Sequence, residues 1–264
     1  MKQFFPILCL GLFVCLTMFC ACGDDNNSTG GDGSDNQPSK RISKIIEEEG
    51  GSLYEYTLSY DSQGRVIKII GTESGIYRNG RSEKTYQYGE TLIVTKEVEE
   101  ETYSSGQSYT FTESHSYTLE NGRIVKDEER QNGSFETTTY SYDAIGQLAS
   151  ISYSGTHSGN QAKTVTWSDR NLIKVEYGSF TYSNYRWTKG FHRYLKGTDT
   201  DFCLFSMGYY GNIPHNLPSS YKYDNSNEGW EYDYTLQDGL VTKVAATPLG
   251  NIKGSNGITT YIWE

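Results

Sequence analysis

The chain has little of what many folds lean on. Only 5 of its 264 residues are cysteine and only 5 are proline. Cys9, Cys15, Cys20 and Cys22 fall within the first 22 positions, which leaves Cys203 alone in the rest. One cysteine makes no intramolecular disulfide and no multi-cysteine metal site, so the body must hold by burial. Clustered basic charge is missing too. With 23 Lys and Arg against 33 Asp and Glu, the formal charge is −10, which argues against nucleic acid as a partner, since that binding needs grouped cations to displace counterions. No Gly-x-Ser-x-Gly elbow, His-Glu-x-x-His pair or phosphate-cradling glycine loop occurs, so no catalytic motif stands out and no cofactor is expected. His192 and His215 lie 23 positions apart without a ligand-spaced third partner, and no metal site is expected from them.

Long apolar runs are also scarce, with one exception at the start. "MKQFFPILCLGLFVCLTMFCAC" pairs one charge at Lys2 with an apolar stretch to Ala21, the form of a secretory signal over residues 1–21. The polar stretch "GDDNNSTGGDGSDNQPS" that follows offers nothing to bury, so residues 22–40 read as a flexible tether. The "FCAC" at its head resembles a bacterial lipobox, with Cys22 after the small Ala21 as the lipidated residue and Phe19 departing from the usual Leu. Asp24 and Asp25 resemble the surface-export signal of Bacteroidetes lipoproteins. The resemblance implies an N-terminal lipid, an outer-membrane address and a body facing the cell exterior, with the membrane as a partner through that lipid.

From residue 41 to 264 the texture is alternating and rich in Tyr, Thr, Val and Ile. Period-two alternation broken by Gly and Asn is the mark of half-buried antiparallel strands. In "YTLSYDSQGRVIKI", Tyr54, Tyr56, Leu58 and Tyr60 share one face, Asp61 caps a turn, and Gly64 supplies the positive φ that closes it. "YTLENGRIVK" and "YTLQDGLVTK" align position for position, with Asn121-Gly122 and Asp238-Gly239 as two-residue hairpin corners. Asn132-Gly133 and Asp143 to Gly146 continue the series, "TVTWSDRNLIKVEY" is a degenerate copy, and "TTYIWE" closes the chain as a strand.

"YDSQGRV" at 60–66, and more loosely "YDAIGQL" at 142–148, resemble the YD repeats of RHS-type proteins. That resemblance covers about a quarter of the mature chain and implies a spiralling β shell. Lipobox, acidic tether and Tyr-rich repeats together resemble Bacteroidetes outer-membrane lipoproteins that carry a domain of unknown function. The expectation is an all-β antiparallel meander of YD-like hairpins, roughly fourteen strands, forming a strongly curved sheet or half-open barrel, because an open twisted sheet rarely exceeds about ten strands.

One segment, at about 186–223, breaks the alternation. It has room for a short helix through "DFCLFSM", with Asp199 or Thr200 as its cap, and for a plug of Phe191, Phe202, Leu204 and Phe205 over the end of the sheet. Its aromatic and imidazole side chains, Trp187, His192, Tyr194, Tyr209, Tyr210 and His215, with Trp230 beside it, are the candidate ligand-binding set, since exposed Tyr and Trp suit sugars and protein contacts. The runs "EVEEE" at 97–101 and "DEE" at 127–129 read as solvated strand faces that guard a sheet edge. A non-enzymatic surface lipoprotein that binds a glycan or a partner protein leads. A carboxylate-dependent hydrolase and a purely structural envelope component are the alternatives.

Overall fold

The computed structural model describes residues 40–156, 160–176, 178–187, 198, 200–251 and 256–264. The leader, Cys22 and the tether up to residue 39 lie outside them, as do Phe191, His192, Tyr194 and Asp199.

The strands follow one another as hairpins. β1 (Ile42–Glu49) and β2 (Ser52–Tyr60) form the first, β3 (Val66–Ser74) and β4 (Arg78–Tyr88) the second. β5 (Leu92–Tyr103) and β6 (Ser108–Glu120) form the third, β7 (Arg123–Gln131) and β8 (Ser134–Tyr142) the fourth. Then come β9 (Leu148–Gly155) with β10 (Gln161–Ser168), and β11 (Asn171–Val175) with β12 (Gly178–Arg186). A short helix, α1 (Phe202–Ser206), precedes β13 (Asn216–Tyr223), β14 (Gly229–Gln237), β15 (Leu240–Leu249) and β16 (Gly257–Trp263). Each strand pairs antiparallel with its sequence neighbours, and β16 returns to pair with β1. The result is a closed barrel of sixteen strands. The half-open sheet and the spiralling shell are corrected here: Arg41 and Glu264 exchange both backbone hydrogen bonds at 2.8 Å and zip the first strand to the last. Closure removes both sheet edges.

The corners are built as their residues dictate. Asn121-Gly122, Asn132-Gly133 and Asp238-Gly239 all take positive φ at both positions, the requirement of a two-residue hairpin turn. Asp61 accepts from the Gln63 and Arg65 amides at 2.9 Å, and Gly64 closes the turn at φ 82°. Asp143 repeats that geometry with Ile145 and Gln147. Asp169-Arg170 supplies the corner of the degenerate copy.

A longer rhythm organises the interior. Ile42, Val66, Ile93, Ile124, Leu148, Leu172, Leu217 and Val241 are all fully buried, one near the start of each odd-numbered strand. Four of their seven spacings are 24 residues. These side chains form an apolar ring at the end of the barrel where β1 begins and β16 ends, termed here the terminal end. Beside most of them the ladder register slips by one residue, a bulge that turns position +3 inward as well. Ile45, Ile69, Ile151, Val175 and Val244 are buried there as a second layer.

The same repeat explains the abundance of Tyr and Trp. A bulge takes a buried carbonyl out of the ladder, and such a carbonyl needs another donor. Tyr60 donates to the Ile42 carbonyl at 2.6 Å, Tyr88 to Val66 at 2.7 Å and Tyr142 to Ile124 at 2.5 Å. The Trp167 and Trp263 indoles donate to Leu148 and Val241 at 2.9 and 2.7 Å. Tyr182 and Tyr234 latch onto Leu172 and Pro218. Seven hairpins thus carry an aromatic latch from the second strand to the first. In the third hairpin Leu119 stands in that place, and its amide donates to Thr91.

The insertion is narrower than 186–223, because β12 runs to Arg186 and β13 resumes at Asn216. Its described part is a plug. Cys203, Leu204, Phe205 and Tyr210 are 0–3% exposed and pack into the apolar layers. The helix cap is Asp201, not Asp199 or Thr200: its Oδ1 accepts from the Leu204 amide at 2.9 Å. Backbone bonds from Ile124 to Tyr209 and from Asn212 to Gly146 fasten the plug to the wall.

Candidate functional site

The sequence-derived ligand set is divided by the fold. Trp187, Tyr209 and Tyr210 belong to the plug side. The Trp187 ring lies 6.5 Å from Phe205, Tyr209 stacks on Tyr88 at 6.0 Å, and Tyr210 meets Tyr140 edge-on at 5.0 Å with only 1% of its surface exposed. His215 sits at the terminal end, where its amide donates to the Arg170 carbonyl. Partial burial and the neighbouring Arg186 and Arg170 push its imidazole below the usual range. Trp230 stands at the opposite end of the barrel, one pair in from the start of β14, across from Tyr221 and Pro248. These residues do not converge on one groove.

A different constellation does converge. Along the inner face of β4, β5 and β6 the chemistry changes with height. Next to the apolar ring come buried Tyr86 and Tyr117. Above them the second apolar layer is interrupted by Thr95 and Asp127, and ionic groups begin. Lys84 pairs with Asp201 of the plug at 2.9 Å, and Tyr86 donates to the same carboxylate at 3.0 Å. Burial opposes the Lys84 charge, yet Asp201 and Glu97 hold the ammonium above its ordinary value. His115 lies between Asp127 at 2.9 Å and Glu113 at 2.6 Å, and Gln131 donates to the far oxygen of Glu113. Burial alone would depress this imidazole; the bonds to Asp127 and Glu113 outweigh it and lift it to about 9.

Nearer the far end, Arg78 bridges Glu73 at 2.7 Å and Glu101, and Tyr103 donates to Glu101 at 2.9 Å. A cavity of about 210 Å³ opens beside this cluster, lined by Tyr54, Tyr56, Glu73, Arg78 and Glu99. Its floor is tight: a Cβ on Gly71 would lie 2.5 Å from the Ser82 hydroxyl and 3.2 Å from the Tyr56 ring. Burial, then the neighbouring Glu101 and Glu97, raise the Glu99 carboxyl above its usual range. The "EVEEE" run is therefore not an edge guard. Alternation turns Glu97, Glu99 and Glu101 inward, and Glu101 is only 5% exposed. Sequence reasoning missed this because the inward face of a strand is known only once the sheet closes. The signal available was the shared parity of these glutamates with Ile93.

The outer face is just as informative. Positions alternate with the core residues as Lys96, Val98, Glu100 and Thr102 on β5, Thr110, Thr112, Ser114 and Ser116 on β6, and Ser150, Ser152 and Ser154 on β9. Lys44 pairs with Glu55 at 3.0 Å and Lys68 with Glu83 at 2.8 Å across this surface. A membrane-spanning barrel needs an outward apolar band about 25 Å tall, and a lipid-facing Lys near mid-bilayer costs about 2–4 kcal/mol. This exterior is suited to water.

In comparisons with solved structures, the chain is similar to a porin-like protein from Bacteroides uniformis, with a TM-score of 0.63, 19% identity, and 84% of this chain and 96% of that chain covered. A porin-like protein from Bacteroides vulgatus aligns with a TM-score of 0.46 and 13% identity over 85% of this chain and 99% of that one. No family model and no curated protein matches. The first likeness establishes the fold, an all-β barrel meander. Here that fold has a packed terminal end and a hydrophilic outer face, so barrel class and membrane spanning are separate matters.

Proposed function

We propose that this chain is a non-enzymatic binding lipoprotein, tethered to the outer membrane through Cys22, whose barrel stands in water on the cell exterior and takes a glycan or a partner protein. The observation that carries the reading is the pairing of a charged, hydroxyl-rich exterior with an accessible acidic and aromatic interior wall at the far end. The plug and the apolar ring fill the terminal end, which suits a receptor bowl better than a conduit. Tethering follows from the "FCAC" resemblance, and the acidic residues after it favour the outward-facing leaflet.

The hydrolase alternative draws on one feature, the presence of Glu73 and Glu99 in a single cavity. A glycan array and a pull-down with the purified protein decide between binding and turnover: captured, unaltered ligand supports the proposal, and released product that disappears in Glu99→Gln supports the hydrolase. The tether has its own test. Cys22→Ala is expected to move the protein from the membrane fraction to the soluble fraction, and unchanged fractionation removes the lipid anchor from the account.

A further inference from the structure

Exposed apolar side chains are scattered over the barrel, among them Leu53, Leu92, Phe135, Ile145 and Ile262, but four aromatic and aliphatic ones gather at one place on the far rim. Ile76 and Tyr77 are 72% and 77% exposed at the β3–β4 corner, and Tyr103 and Tyr109 are 37% and 47% exposed at the top of β5 and β6. These corners act as one piece, because the Ser104 amide donates to the Tyr77 carbonyl at 2.9 Å. Tyr103 meets Tyr109 edge-on at 5.8 Å, and Tyr109 stacks on Phe111 at 6.3 Å.

Strand length explains how this patch forms. β4, β5 and β6 have 11, 12 and 13 residues where β2 and β3 have 9. The overhang of this flap is on the β7 side: β7 ends at Gln131, paired with Glu113, and β6 runs on to Ser108, on the order of 15 Å further along the strand at about 3.3 Å per residue, whereas Ser74 of β3 stays level with Asn79 and Thr102. Tyr103, Tyr109 and Phe111 share parity with the buried Ile93, Tyr117 and Leu119, so they occupy the face of the flap that looks over the barrel mouth. Above the rim their neighbours no longer cover them.

Charge then selects the occupant. Below the aromatics, the inner face of β3 to β5 presents Glu73, Glu97, Glu99 and Glu101 against Arg78 and Lys84, and Lys84 is already shared with Asp201. Glu48 and Glu49 line a shallow depression at the same end, next to Leu53. Carboxylates crowded in this way are relieved by a cation, and tyrosine faces attract one as well. A neutral sugar offers only the stacking. A second copy of this chain, with its own charge of −10, brings like charge to the site.

We propose that the inner face of the β4–β6 flap, with Tyr103, Tyr109 and Phe111 above Glu99 and Glu101 and Tyr77 at the adjoining corner, is the docking surface for a cationic polypeptide segment carrying Arg or Lys. The inference rests on the binding-barrel reading and names the partner for it. Guanidinium or ammonium groups stack against the tyrosines and descend toward the glutamates, while the aliphatic stems cover Ile76.

The test uses the purified full-length protein and a fluorescein-labelled (Arg-Gly)8 peptide, with (Gln-Gly)8 as the neutral control, followed by anisotropy. The account expects salt-sensitive binding of the Arg peptide, weakened about tenfold or more in Tyr77→Ser/Tyr109→Ser, since two stacked cation contacts are lost without a change in net charge. Both side chains are exposed, and an unchanged circular dichroism spectrum checks the fold. Glu231→Gln/Asp233→Asn, on the outer face of β14, is expected to leave the affinity within about twofold, because exposed charges beyond a Debye length are screened. Equal binding by the wild type and the Tyr double variant, or no binding of the Arg peptide at all, overturns the inference. Neutral oligosaccharide bound in its place, and lost in the Tyr variant, overturns the cationic partner and leaves the binding-barrel reading standing. Concentration-dependent self-association abolished by the same variant overturns it in favour of a second copy.

Discussion

At the residue scale, the buried His115 is the most informative side chain for testing the interior. It stacks flat on Tyr117 at 5.4 Å and is clasped by Asp127 and Glu113. Its folded value near 9 lies above its unfolded value near 6.5. A raised folded value means that the protonated form is bound more tightly in the native state. Its stabilisation is therefore complete below about pH 6.5 and is lost as pH rises through about 9, a change on the order of 2–3 kcal/mol. Thermal melts between pH 6 and 10 should show the midpoint falling across that window, and His115→Gln should flatten the slope. A wild-type midpoint level over that range would contradict the clasp. Of its two carboxylates only Asp127 falls in the "DEE" run, His115 itself carries no signal in the sequence, and nothing in the spacing joins β6 to β7 at that height. Registry across a hairpin corner, here slipped by one residue between Thr118 and Leu119, decides who meets whom.

At the element scale, the hairpin with its aromatic latch is the unit of construction. Tyr142 is partly buried, and its hydroxyl serves the fully buried Ile124 carbonyl. Tyr142→Phe keeps the ring and its packing but leaves that carbonyl without its donor, so the expected cost is about 1–3 kcal/mol in urea unfolding. Tyr60→Phe should behave alike, since it occupies the same place in the first hairpin. A solvent-facing hydroxyl would cost nothing measurable when removed, and that result would contradict the latch. Much of this level was legible. The Asn-Gly and Asp-Gly corners, the Asp61 turn and the positive φ of Gly64 follow from local chemistry that a strand pattern exposes directly. The 24-residue rhythm was not read, because spacings of 27, 31 and 45 residues interrupt it. The cap of α1 was misplaced for a local reason: Asp199, Thr200 and Asp201 are all cap-competent residues, and only Asp201 is also held by Lys84 and Tyr86.

At the scale of the whole molecule, sixteen strands close because the last finds the first. The sequence shows "TTYIWE" as a strand but not its partner, since pairing across 219 positions, as between Ser43 and Ile262, leaves no local trace. Expecting about fourteen strands and a half-open sheet follows from the same gap. Closure fixes which parity faces inward, and that single fact turns "EVEEE" from a solvated edge into the wall of a mouth. The eight apolar residues of the ring and the plug fill one end, the ionic wall and exposed tyrosines occupy the other, and Ser, Thr and ion pairs coat the outside. On the proposed reading this is a barrel for water. Sedimentation velocity of residues 41–264 in detergent-free buffer tests it most directly. The account predicts a single, monodisperse species without detergent; a body that aggregates in buffer and becomes monodisperse only when detergent is added would contradict it.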